Sequence, residues 1–119
     1  MQTIYKTVGV VATGAMGRGI AQIAAQTGSV VILIDAQSGA AEKAREALFS
    51  QWDKLVEKGR MDAGVASDYK GQLRVAGAMA ELSDCDLVIE AIIGRLGIKK
   101  TLFAELETLV PAQTVLASN

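Results

Sequence analysis

Apolar residues fall along the chain in two patterns, short continuous runs and longer periodic stretches. Short aliphatic or β-branched runs predict buried strands, and they lie at Thr7–Ala12, Val30–Ile34, Leu73–Ala76, Leu87–Ile92 and Thr114–Ala117. Stretches with apolar residues every three or four positions predict helices, and they lie at Met16–Gln26, at Ala40–Lys58, from an Asp62 cap to Tyr69, and at Ile98–Leu109.

The order of these elements predicts the fold class. Apolar strands that alternate with helices indicate a parallel sheet covered on both faces. Right-handed crossovers then predict an α/β, doubly wound, mostly parallel sheet, the Rossmann fold, with a helical hairpin after strand two. The length suits one domain over residues 1–119.

Periodicity also predicts which helix faces are buried. In the first helix we expect a face that includes a core methionine, formed by Met16, Ile20, Ile23 and Thr27. In the long helix we expect an apolar stripe in which the tryptophan packs rather than binds a ligand, formed by Ala44, Leu48, Trp52 and Leu55.

Composition excludes several classes of function. The formal net charge of -1 gives no electrostatic case for nucleic acid or an anionic membrane as partner, and no apolar run is long enough to span a bilayer. The absence of histidine removes His-based acid–base catalysis, His-containing metal sites and a Ser-His triad from this sequence. The single cysteine, Cys85, forms no disulfide framework and favours a cytoplasmic location.

The turn between the first strand and the first helix carries a glycine motif. Dinucleotide-binding domains have G-x-G-x-x-G at this position, and residues 12–17 read ATGAMG. Gly14 would let the backbone approach a diphosphate, and Gly17 would let the helix pack close to the strand. The expected cofactor contacts are Ala12, Thr13, Gly14, Ala15, Met16 and Gly17.

Two further residues bear on this loop. Ala12 replaces the first glycine of the motif, and it costs about 1 kcal/mol if the turn requires a positive φ. Asp35 follows the second strand, where an acidic side chain accepts hydrogen bonds from the adenosine ribose and repels a 2′-phosphate. The glycine loop and Asp35 together predict a dinucleotide site, and the charge of Asp35 favours NAD over NADP.

The residues alone leave other functions open. A methyltransferase that uses S-adenosylmethionine also pairs a glycine loop with an acid after strand two, and a nucleotide-binding module without chemistry needs no more than these features. A short-chain dehydrogenase is disfavoured, because the sequence contains no Y-x-x-x-K.

Several segments resemble the N-terminal domain of the 3-hydroxyacyl-CoA dehydrogenases, which include the 3-hydroxybutyryl-CoA enzymes. They are residues 14–21 (GAMGRGIA), 86–91 (DLVIEA), 102–111 (LFAELETLVP) and 117–119 (ASN). The resemblance spans essentially the whole chain. It implies an NAD-dependent oxidation of (S)-3-hydroxyacyl-CoA to 3-ketoacyl-CoA, as in β-oxidation and related fatty acid metabolism.

The resemblance also implies roles for individual residues. Lys99 and Asn119 match residues near the nicotinamide end of the cofactor, with Ala91 and Ile92 as further cofactor contacts. Lys58 matches a lysine that contacts the CoA portion of the substrate.

The chain departs from the family pattern at three positions. Ala12 replaces the first glycine of the loop, Gly94 stands where the family usually has a glutamate, and Gly97 replaces a commonly acidic residue. The family's catalytic serine, histidine and glutamate lie beyond the asparagine matched by Asn119. We therefore expect a truncated chain that is inactive alone and a homodimer only with the helical C-terminal domain.

Overall fold

The computed structural model describes residues 5–91 and 115–118. Its strands are β1 (Thr7–Val11), β2 (Val30–Ile34), β3 (Leu73–Val75), β4 (Leu87–Glu90) and β5 (Val115–Ser118). Its α-helices are α1 (Ala15–Gln26), α2 (Ala40–Glu57) and α3 (Ala63–Gln72), and a short 3₁₀ helix spans Met79–Leu82.

The strands that the structure describes form one parallel sheet in the order β3-β2-β1-β4-β5. The chain builds the sheet outward from β1, first through β2 to β3 on one side and then through β4 to β5 on the other. This reversal confirms the predicted doubly wound fold. It also opens a crevice beyond the carboxyl ends of β1 and its neighbours, where ligands bind in such sheets.

The strands are apolar because helices cover the sheet, as parallel sheets require. Val10, Val31 and Leu33 are completely buried. The predicted strand bounds hold to within one or two residues, since β1 ends at Val11, β3 at Val75 and β4 at Glu90. The 3₁₀ helix was not predicted, and the helix predicted at Ile98–Leu109 lies outside the described residues.

The predicted core face of α1 is wrong. Met16 and Ile23 are 45% and 65% exposed, Thr27 is exposed and Ile20 is half-buried. The face turned to the sheet consists instead of small residues four positions apart, Gly17, Ala21 and Ala25. Small side chains let the helix backbone lie close to the strands, and Ile23 is rotated roughly 200° from Ala21 around the helix.

The helical hairpin after β2 is confirmed. Trp52 is fully buried, as are Ala44 and Leu48, and its ring centroid lies 5.4 Å from that of Tyr69 on α3. A left-handed glycine, Gly59 (φ 71°), follows the end of α2. The Asp62 side chain caps α3 by accepting hydrogen bonds from the amides of Gly64 (2.9 Å) and Val65 (3.3 Å). No helix in the described part of the chain is long and apolar enough to cross a membrane.

Candidate functional site

The candidate site lies where β1, β2 and β4 end side by side. Backbone hydrogen bonds continue past the strands and hold the following residues together. The Ala12 amide donates to the Ile34 carbonyl and the Ala91 amide donates to the Val11 carbonyl, each at 2.9 Å. The loop after β1 is therefore clamped between the ends of its two neighbouring strands.

Ala12 adopts a left-handed backbone conformation with φ of 73°, alone among the non-glycine residues that the structure describes. The turn thus has the positive φ for which glycine is the preferred residue. The strain foreseen for an alanine at this position is present.

Gly17 has no room for a side chain. A Cβ atom at Gly17 would lie 2.0 Å from the carbonyl oxygen of Ala12 and 3.5 Å from the Cβ of Ala91. The close approach of helix to strand predicted from the motif is therefore confirmed. At Gly14, by contrast, a Cβ would meet nothing within 4 Å, so this part of the loop borders open space.

The N-terminus of α1 faces the same open space. Its first helical hydrogen bond runs from the Arg18 amide to the Gly14 carbonyl at 2.9 Å, so earlier amides such as those of Ala15 and Gly17 have no acceptor within the helix. The cap residue Gly14 has no side chain, and the first turn contains no acidic residue. The positive end of the helix dipole is thus available to an anion.

Asp35 stands directly beside this loop. Its Oδ2 accepts hydrogen bonds from the amide of Thr13 at 2.7 Å and from the Thr13 hydroxyl at 2.9 Å, and its Oδ1 accepts one from the Gln37 amide at 2.9 Å. Partial burial acts to raise the pKa of Asp35, but the donors from Gln37 and Thr13 outweigh it and the pKa is lowered. Asp35 is therefore ionised at neutral pH.

Glu90 lies at the same edge of the sheet, as the last residue of β4 beside the end of β1. Its side chain is completely buried at the end of β4, and its Cα pairs in register with those of Val11 and Ser118. A buried acid at the carboxyl end of a central strand is unusual, because carboxylates are almost never fully buried unless paired.

Lys58 does not join this cluster. It is the C-terminal cap of α2 and, together with Lys54, borders a shallow groove on that helix. The 18 residues of α2 separate it by about 27 Å from the helix start near Asp35. Of the other predicted contacts, Ile92, Lys99 and Asn119 lie outside the described residues, as does Gly94.

One contact escaped sequence reasoning. The Thr13 hydroxyl was expected only as part of the loop, yet it bonds directly to Asp35, 22 residues away. No local pattern indicates such a pair, because only the parallel pairing of β1 with β2 brings the two residues together.

A glycine loop at a helix N-terminus, with an ionised acid at the end of the next strand, defines the class of dinucleotide-binding α/β domains. Residues 7–119 match the family model described as 3-hydroxyacyl-CoA dehydrogenase, NAD binding domain. The chain belongs to this family, and its cofactor is NAD.

Relatives in sequence and structure agree with this assignment. The chain is 36% identical over 119 residues to 3-hydroxyadipyl-CoA dehydrogenase of Escherichia coli K12, and 35% identical over 111 residues to a probable 3-hydroxybutyryl-CoA dehydrogenase of Deinococcus radiodurans. The crystal structure of 3-hydroxybutyryl-CoA dehydrogenase from E. coli K12 superposes with a TM-score of 0.93 at 35% identity over 98% of the chain.

These relatives are much longer than the chain. The alignment with the 3-hydroxyadipyl-CoA enzyme covers all of this chain and only 25% of that enzyme. The alignment with the Deinococcus protein covers 93% of this chain and only 40% of that protein. The E. coli crystal structure is likewise matched over 25% of its length.

Proposed function

We propose that the chain holds NAD in the crevice beyond β1 and β2, as the cofactor-binding part of an enzyme that oxidises (S)-3-hydroxyacyl-CoA to 3-ketoacyl-CoA. The observation that carries the proposal is the contact of Asp35 with the glycine loop, at 2.7 Å and 2.9 Å. This contact brings an acceptor for sugar hydroxyls to the loop that offers amide donors for a diphosphate, and a dinucleotide carries both groups.

The described residues fit the two polar parts of the cofactor. Amides at the start of α1, bordered by the open space at Gly14, are suited to the diphosphate. The ionised carboxylate of Asp35 is suited to the adenosine ribose and repels a 2′-phosphate, which favours NAD over NADP. Gly17 has an indirect role, since its missing side chain lets α1 begin beside Ala12 and Ala91.

We propose that Lys99 and Asn119, which lie outside the described residues, contact the nicotinamide end, on the basis of the family resemblance. We propose Ala91 and Ile92 as further cofactor contacts on the same basis. NAD held by these residues would supply the hydride acceptor needed for oxidation of the substrate alcohol. We propose that the base that takes the hydroxyl proton lies outside this sequence, because the family resemblance places the catalytic histidine beyond the residue matched by Asn119 and this sequence contains no histidine.

The substrate class rests on the relatives, whose names specify 3-hydroxyadipyl-CoA and 3-hydroxybutyryl-CoA. We propose Lys58 as a contact of the CoA portion, since it is an exposed cation beside the groove on α2. We further propose a helical, dimer-forming domain in the whole protein and a cytoplasmic location, which the buried free thiol of Cys85 favours.

The cofactor assignment is tested by titration calorimetry of the 119-residue chain with NAD, NADP and S-adenosylmethionine. We expect NAD to bind most tightly. Asp35→Ala should lower the affinity for NAD by roughly 10-fold or more, because hydrogen bonds to a charged group contribute about 1.5–3 kcal/mol. It should also reduce the difference in affinity between NAD and NADP. Asp68→Ala, which removes the same charge from an exposed position on α3, should leave the affinity unchanged.

Two results would contradict the proposal. One is tighter binding of S-adenosylmethionine than of NAD. The other is equal loss of NAD affinity in the Asp35 and Asp68 variants.

A further inference from the structure

The hydrogen-bonding capacity of Asp35 is nearly used up within the protein. An ionised carboxylate has about four acceptor positions, two on each oxygen. The Thr13 amide and hydroxyl take two positions on Oδ2, and the Gln37 amide takes one on Oδ1. One position therefore remains, on Oδ1, whereas a ribose presents two hydroxyl donors.

The Thr13 hydroxyl is not needed to orient the carboxylate. The two backbone amides already bond one oxygen each, at 2.7 Å and 2.9 Å, and two such bonds determine the plane of the group. The hydroxyl adds a second bond to an oxygen that is already held. Its distinct effect is to occupy an acceptor position that a ligand hydroxyl would otherwise use.

The hydroxyl is also difficult to displace. Thr13 is 7% exposed, while Asp35 is only half-buried, so a ligand reaches the carboxylate more easily than the hydroxyl. A threonine side chain has few accessible rotamers. If the hydroxyl turned away from Asp35, it would be a buried donor without its acceptor, which is unfavourable.

We propose that Thr13 restricts Asp35 to one hydroxyl of the adenosine ribose, which bonds to Oδ1 while the Thr13 hydroxyl keeps its place on Oδ2. Thr13 is thus a residue that sets specificity for the sugar. The proposal rests on the proposed function, since it assumes that Asp35 binds this ribose.

The test is calorimetry of the 119-residue chain with ADP, 2′-deoxy-ADP and 3′-deoxy-ADP. In the unmodified chain we expect one deoxy analogue to bind roughly 10-fold or more weakly than ADP and the other to bind within about 2-fold of it. This comparison needs no variant, so it does not depend on whether a substituted chain folds.

Two variants separate acceptor occupancy from a structural role. Thr13→Ala removes the hydroxyl and the methyl group, so no side-chain atom fills the acceptor position on Oδ2. It should bind ADP several-fold more tightly than the unmodified chain does and bind both deoxy analogues more weakly than ADP, because a second acceptor position is then open. Thr13→Ser keeps the hydroxyl and should restore the behaviour of the unmodified chain. A residue needed only for structure would weaken binding when altered, which is the opposite sign.

The outcomes distinguish this inference from the function on which it rests. Equal losses for both deoxy analogues in the unmodified chain, or weaker ADP binding by a folded Thr13→Ala variant, would overturn the role of Thr13 and leave NAD binding intact. Failure of the unmodified chain to bind NAD or ADP would overturn the proposed function itself.

Discussion

The geometry of the whole site imposes a strained backbone conformation on Ala12. The chain must turn sharply after β1 so that α1 begins beside the strand, and the turn requires a φ of 73° at this position. Glycine adopts such a conformation freely, whereas alanine is strained by its Cβ atom. The turn persists because both sides are tied, through the Ala12 amide to Ile34 and through the tight packing of Gly17.

Ala12→Gly should therefore stabilise the chain. We expect the free energy of unfolding to rise by about 1 kcal/mol. This is a net value, because the relief of backbone strain in the folded state is partly offset by the larger conformational entropy of glycine in the unfolded chain. Urea denaturation measures it. Ala15→Gly is the matched control, because Ala15 has no positive φ and glycine there should lower stability. A loss of stability in both variants would show that the turn does not strain Ala12.

At the scale of elements, tertiary packing determines the buried face of one helix and a local capping signal determines the start of another. The core face of α1 depends on the close approach of its backbone to the sheet, so small residues are buried and Ile23 is exposed. The start of α3 depends on a local signal, because the Asp62 side chain accepts from the amides of Gly64 and Val65. Local signals of this kind are recognisable in a sequence, whereas close packing against a sheet is not.

Asp62→Ala tests the local signal. Loss of the cap should lower the free energy of unfolding by about 1 kcal/mol, the usual contribution of an N-cap carboxylate. Denaturant melts followed by circular dichroism measure the change. Asp68→Ala removes the same charge from the exposed middle of α3 and should hold or slightly raise stability, because alanine favours helix. Equal stability of the Asp62 variant and the unmodified chain would argue against the cap.

At the scale of the whole molecule, the described residues build a site for binding and supply little for chemistry. The crevice joins residues after β1, β2 and β4, which lie far apart in sequence and meet only because the sheet is parallel and reverses at β1. The groups placed there are amides, an ionised aspartate, and the buried Glu90. These groups suit the binding and orientation of a cofactor.

The 119-residue chain should consequently bind NAD without turning over substrate. We expect no NADH-dependent reduction of acetoacetyl-CoA above background, because a dehydrogenase needs a general acid or base near neutral pKa at the reacting oxygen and this sequence contains no histidine. The loss of NADH absorbance follows the reaction, and calorimetry on the same sample verifies cofactor binding. Measurable reduction by the chain alone would contradict the prediction that the chain is inactive without further residues.

The sequence by itself determined the order and type of the described strands and α-helices, but not the 3₁₀ helix. It also determined the glycine loop and indicated Asp35 as the acidic residue next to it. These features follow from local physics, since strand and helix periodicity, helix caps and turn residues act over a few neighbouring positions. Even the strain at Ala12 was predictable, because the motif requires glycine there.

Tertiary structure alone decided the features that depend on distant segments. The burial of Gly17, Ala21 and Ala25 in place of Met16 and Ile23 follows from the approach of α1 to the sheet. The bond between the Thr13 hydroxyl and Asp35 follows from the pairing of β1 with β2. Neither is encoded within a short window, because the distance between two strands and the depth of a helix against them are properties of the assembled sheet.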